Sequence, residues 1–129
     1  MKEHLNPETL ASNPAFSQVV VVREPAATIY VGGQNAVTPT GDIVGDGLRE
    51  QTMQTLRNVR AAIVAAGASL NDVVRWTVSI IDGQPLQEGF AAFAEECGDV
   101  VDPPAISVQI VAGLANPRFL VEVDAVAVL

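Results

Sequence analysis

The chain has 129 residues, 49% hydrophobic and 17% charged, which suits one folded domain with a real core and excludes disorder. A net charge of −8, with one lysine, six arginines and no basic stripe, argues against nucleic acid as a partner. A single cysteine, Cys97, forbids an intrachain disulfide and fits a reducing compartment.

Met1-Lys2-Glu3-His4 contains no apolar signal core, and the apolar runs are too short to span a bilayer. The expectation is a cytoplasmic protein with no membrane partner. Few charges beside much apolar content also point to surface buried in an oligomer.

Residues 1–16 hold Asn6-Pro7 and Asn13-Pro14 and read as an extended arm with turns. Val19-Val20-Val21-Val22 and Thr28-Ile29-Tyr30-Val31 are β-branched runs. The turn signal Glu24-Pro25-Ala26-Ala27 between them predicts a hairpin. Gly32-Gly33 closes the second strand, and Thr38-Pro39-Thr40-Gly41-Asp42 reads as a loop.

A helix is predicted over 48–66, with Leu56, Val59, Ile63 and Ala66 as its apolar stripe and Gly67 as its cap. A strand follows over 73–81. It places Val74, Trp76, Val78 and Ile80 on one face and Arg75, Thr77 and Ser79 on the other. A second helix over 85–97 starts at Pro85, with Leu86, Phe90, Phe93, Ala94 and Cys97 predicted as its buried stripe. Gly89 weakens it by roughly 1 kcal/mol relative to alanine. Pro103-Pro104 precedes a strand over 105–111, and Gly113-Leu114-Ala115-Asn116-Pro117 turns into the last strand.

That last strand is the most informative stretch. Alternation in Val121-Glu122-Val123-Asp124-Ala125-Val126-Ala127-Val128 sets Glu122 and Asp124 against an apolar opposite face. Carboxylates in so apolar a strand belong in a cleft or a subunit interface, where they need a partner. The element order is strand, strand, helix, strand, helix, strand, strand, and two helices cover only one face of such a sheet. An α+β sheet whose other, polar face packs in an oligomer accounts for the pattern.

Four stretches resemble the reactive-intermediate deaminase family (Rid, or YjgF-type). They are Tyr30-Val31-Gly32-Gly33-Gln34, Ala65-Ala66-Gly67-Ala68-Ser69-Leu70-Asn71-Asp72-Val73-Val74, the step Pro104-Ala105, and the strand from Val121 to Val128. The likeness runs from about Pro14 to Val128. It implies a single domain over 1–129 with a chorismate-mutase-like α+β fold. It further implies a homotrimer whose sheets form a central barrel with clefts between subunits. The implied activity is hydrolysis of reactive imines and enamines to 2-oxo acids and ammonia, without cofactor or metal. By the same resemblance Glu122 would position water, while Gly33, Gly32 and Phe16 would shape the cleft. The family's substrate-binding arginine falls on Ile106, and a neighbouring cysteine on Val108.

Ile106 departs most from the family pattern. Arginine grips a carboxylate with two parallel hydrogen bonds, and isoleucine offers none. Strand alternation leaves open whether Ile106, Val108 and Ile110 face the cleft, or Ser107 and Gln109 do. Arg118 and Arg75 are the replacement cations on offer. The substrate either lacks a carboxylate or is gripped elsewhere.

The hydrolase reading competes with a trimer that binds a small metabolite without turnover, as sensor or carrier. A structural reading of Glu122 also stands, as an ion pair with Arg75 across subunits. No Cys-His cluster, phosphate loop or nucleophile elbow is present, and a ribonuclease role is the weakest alternative.

Overall fold

The computed structural model describes residues 1–129. Strands β1 (Lys2–Leu5) and β2 (Val19–Val22) form a small antiparallel sheet. The main sheet has the order β3-β6-β4-β5, from β3 (Thr28–Gln34), β4 (Val73–Ile81), β5 (Ala105–Val111) and β6 (Val121–Val128). Helices α1 (Leu48–Ala65) and α2 (Leu86–Glu96) cover one face, as alternation in β4 and β6 requires. The arrangement is α+β with a mixed sheet: β4 and β5 run parallel, joined through α2, and the other pairs are antiparallel.

The predicted hairpin does not form. β2 pairs with the arm strand β1, Lys2 opposite Val22, and β3 pairs instead with β6, Thr28 opposite Val128. The chain changes sheet between the two runs. Glu24 takes a positive φ of 48°, and the N–H groups of Ala26 and Ala27 donate to the Leu129 carbonyl rather than back to β2. The arm over residues 1–16 is extended with turns as predicted, and its first residues are paired as a strand. Ser17 and His4 fasten them: Ser17 Oγ donates to the Pro103 carbonyl at 2.5 Å, and His4 Nδ1 lies 3.0 Å from Ser17 Oγ.

Leu56, Val59 and Ile63 of α1 are fully buried against the sheet, as their spacing predicts. Ala66 lies beyond the helix and is exposed. Gly67 adopts φ +82° and its N–H donates to the Val64 carbonyl, ending the helix in the left-handed geometry that glycine favours. On β4, Trp76, Val78 and Ile80 face the helices, but Val73 is buried in place of Val74. A register shift between Val73 and Arg75 reverses the alternation there.

Helix α2 packs only partly as predicted: Leu86, Phe93 and Cys97 are half-buried against the core. Gly89 and Ala92 are its buried residues, while Ala94 is exposed and Phe90 is 54% exposed. A Cβ on Gly89 would stand 3.4 Å from Leu48 and 3.6 Å from Ile80, so the missing side chain brings α2 close to α1 and the sheet. Phe90, Phe93 and Cys97 also wall a cavity beside β5.

Candidate active site

Glu122 stands on the uncovered face of β6, opposite Ser79 of β4, and Asp124 stands opposite Thr77. Their neighbours Val121, Val123, Ala125 and Ala127 are buried beneath the helices. The two faces thus divide as strict alternation requires. Neither carboxylate forms an ion pair within the chain. Arg75 shares this face but donates from Nη2 to Ser107 Oγ at 2.9 Å.

Gly33 sits where the β3–β6 register slips between Val31 and Gln34. A Cβ built there would lie 2.8 Å from Glu122 Cδ and 3.0 Å from Oε2. Only a glycine lets the carboxylate lie flat against the bulged strand. Gly32 has open space around it and imposes no such limit.

Three buried or half-buried amides fix the strand that carries Glu122. Gln51 of α1 donates through Nε2 to the Gly45 and Arg118 carbonyls, and its Oε1 accepts from Leu120 N–H at 2.9 Å. Asn35 Nδ2 donates to the Val121 carbonyl, and Asn58 Nδ2 donates to the carbonyls of Asn35 and Val37. The start of β6 is thereby tied to both β3 and α1. Sequence reading passed over these residues because a lone Asn or Gln carries no periodic signal.

The other expected site residues lie on the opposite side of the sheet. Ile106 pairs in parallel register with Trp76, and Val108 with Val78, so both face the helices. Ser107 and Gln109 take the uncovered face, which decides the alternation left open by the sequence. Ile106, Val108 and Phe16 line a cavity of about 610 Å³ between β5, α2 and residues 13–16. Phe90, Phe93 and Cys97 complete its wall, with Trp76 set edge-on to Phe93 at 5.7 Å. Burial pushes the Cys97 thiol up to about 11, so it is a neutral group at physiological pH.

None of the six arginines lines this cavity. Arg23, Arg49, Arg57 and Arg60 pair with carboxylates elsewhere on the surface. Arg118 is exposed in the turn before β6, its N–H donating to Asn116 Oδ1. Within one chain neither Arg118 nor Arg75 lines the cavity at Ile106. A single chain therefore brings together Glu122 and Gly33 on one side, and Ile106, Val108 and Phe16 on the other.

The family profile Endoribonuclease L-PSP matches residues 7–129. The chain belongs to this family, which includes the RutC, Rid and YjgF proteins. A RutC family protein of Pyrococcus horikoshii is 33% identical over 100 residues, 77% of each chain. The Rid-family protein YyfB of Yersinia pestis superposes with a TM-score of 0.87 at 32% identity, covering 99% of this chain and 98% of that one. The reactive intermediate deaminase TdcF of Escherichia coli, itself a provisional designation, is 36% identical over 76 residues, 58% of each chain. No helix of this Rid-family chain is long and apolar enough to cross a membrane.

Proposed function

We propose that this Rid-family protein hydrolyses the C=N bond of a reactive imine or enamine metabolite, releasing ammonia, in a cleft completed by neighbouring copies of the chain. The observation that carries the reading is the Glu122 carboxylate. It is free of any ion pair, it lies against Gly33, and it stands on a sheet face that no helix covers.

Glu122 would accept a hydrogen bond from water and take its proton as the oxygen adds to the imine carbon. That proton passes to nitrogen to give a carbinolamine; the proton of the new hydroxyl then moves to the amine through the same carboxylate, the C–N bond breaks, ammonia leaves and the carbonyl forms. Backbone amides beside Gly33 would steady the charge that develops. A rat relative 39% identical over 69 residues, 53% of this chain and 48% of its own, bears the name 2-iminobutanoate/2-iminopropanoate deaminase, which supports the reaction class.

The separation of the two residue sets supports an assembly of several chains. Glu122 and the cavity at Ile106 lie on opposite faces of one sheet, so a cleft holding both needs more than one chain. A homotrimer with the uncovered faces inward, as the family resemblance implies, would also cover Arg75, Thr77, Ser79 and Asp124.

Freshly generated imines, with and without a carboxylate, test the activity through ammonia release. Release above a Glu122→Ala control is the expected result, together with a solution mass of three chains. No release from any imine would favour the second reading, a trimer that binds a metabolite without turnover. Ile106 favours that reading, because it removes the cation by which the family grips its substrates.

A further inference from the structure

No ion pair holds the Glu122 carboxylate, so its aim depends on the backbone beneath it and on Gly33. That backbone is held unequally on its two sides. Towards β4 the pairing runs past the acid, from Val78 opposite Val123 to Ile80 opposite Val121. Towards β3 it slips between Val31 and Gln34 and ends at the Gln34–Val123 pair, one residue short of Glu122. Asn35 is the next residue of the chain, and its Nδ2 donates to the Val121 carbonyl at 2.9 Å. Nδ2 is the donor of necessity, because a carbonyl only accepts. That carbonyl belongs to the peptide group joining Val121 to Glu122. The bond therefore holds the plane from which the acid's side chain departs. Asn35 is itself anchored: Asn58 of α1 donates to its carbonyl at 2.9 Å, and Gln54 Nε2 donates to Asn58 Oδ1 at 3.0 Å.

We propose that Asn35 is a positioning residue: its amide stands in for the strand pairing that β3 stops short of, and so aims the Glu122 carboxylate at the water it activates. This role rests on the hydrolase reading for the reaction and not for the aim of the acid. Gln51 acts elsewhere, on Leu120 N–H and the Arg118 carbonyl. It secures the entry to β6 without gripping the peptide group of Glu122. A general base displaced by a fraction of an ångström loses rate, while substrate held by other groups keeps its affinity.

Asn35→Ala should lower kcat for ammonia release about tenfold and move KM by less than about twofold. Ile63→Val trims a fully buried core residue of α1. It should weaken the fold and leave both constants unchanged. Asn35→Asp keeps the shape of the side chain. Ionised, it sets an oxygen against the Val121 carbonyl; protonated, it has an O–H to donate. Partial burial and that carbonyl both favour the protonated form. Its kcat relative to the unmodified chain should therefore rise at least about threefold from pH 8 to pH 5, while the ratio for Asn35→Ala stays flat. Carbon-13 NMR of the glutamate carboxyls reads the aim of the acid without turnover, the Glu122 signal being the one lost in Glu122→Gln. Asn35→Ala should shift that signal, and Ile63→Val should not.

Ammonia release with an unchanged kcat in Asn35→Ala overturns the positioning role and leaves the hydrolase reading standing. Equal losses of kcat in Asn35→Ala and Ile63→Val overturn it too, as does a loss confined to KM. A flat Asn35→Asp ratio across the pH range shows that the donated hydrogen bond does not matter, with the same consequence. No ammonia release by the unmodified chain sinks the hydrolase reading. The Glu122 signal then decides for Asn35, which keeps its role if Asn35→Ala moves the signal and loses it otherwise. Should Asn35→Ala fail to fold, the isosteric Asn35→Asp carries both the rate ratio and the NMR comparison.

Discussion

On the side of the sheet covered by α1 and α2, the cavity at β5 is apolar, uncharged and lined by a neutral thiol. On the uncovered side, Glu122, Asp124 and Arg75 share one surface with the hydroxyls of Thr77 and Ser79. On the function proposed above, one would supply shape and desolvation and the other proton chemistry. Both arise from the same alternation, since residue n of a strand serves one face and residue n+1 the other. The comparison teaches that a single sheet can carry two chemically different surfaces that never meet within a chain.

The sharpest way to break this comparison is to remove the acid. Glu122→Ala should lower the rate of ammonia release by about 10²- to 10⁴-fold, the range for a lost general acid–base group. Substrate binding, read as KM, should change little. A parallel loss of binding would show that the two sides are not independent.

Cys97 sharpens the other half. Its thiol is raised from 9.0 to about 11, first by burial; Arg60 opposes the rise, and Asp99 and Glu96 add to it. The thiolate fraction at neutral pH is therefore about a hundredfold below that of an unfolded cysteine, and alkylation should slow accordingly. Linkage gives the sign of the pH effect. Below pH 9 the thiol is protonated in both states and the fold pays no penalty. As pH rises from 9 towards 11 the unfolded chain releases the proton first, so the fold weakens by about 1–2 kcal/mol. Denaturant midpoints of the unmodified chain and Cys97→Ala should diverge across that interval and nowhere below it.

Gly33→Ala probes the contact between β3 and Glu122. The added Cβ would meet the carboxylate at 2.8 Å, and the end of a flexible side chain can swing away. Stability should change by less than about 1 kcal/mol, whereas ammonia release should fall about tenfold as the acid is re-aimed. Thermal unfolding and steady-state rates measured on the same sample separate the two effects. A large loss of stability would make Gly33 a packing residue only.

How far the sequence reveals these sides depends on the reach of each signal. Alternation is local, so the faces of β4 and β6 and the placement of Glu122 and Asp124 were legible. Helical spacing located α1 almost to the residue, apart from Ala66. Strand partners are not local. Val19–Val22 and Thr28–Gln34 look like a hairpin, and only the pull of Leu129 on Ala26 and Ala27 shows that they part. Ile106 could be aligned with the family arginine, but its side of the sheet needed the register with Trp76. Phe90 looked like core because an apolar stripe does not say whether it meets another helix or an open cavity.

The smallest expected effect concerns how α2 is held over the cavity. Gly89 looks like a defect in a helix, and glycine costs about 1 kcal/mol there relative to alanine. In the folded chain it faces Leu48 and Ile80, and a Cβ would touch them at 3.4 and 3.6 Å. The first distance is slightly tight and the second is ordinary contact, so the helical gain should exceed the crowding. Gly89→Ala is expected to stabilise the fold by about 0.5 kcal/mol, read as a small rise in denaturant midpoint. It should also press α2 outward by a few tenths of an ångström and widen the cavity slightly, because Phe90 and Phe93 move with the helix. Destabilisation instead would mean that α1, α2 and the sheet are packed too closely for one methyl group. The cavity wall would then be set by that contact and not by the aromatic residues that line it.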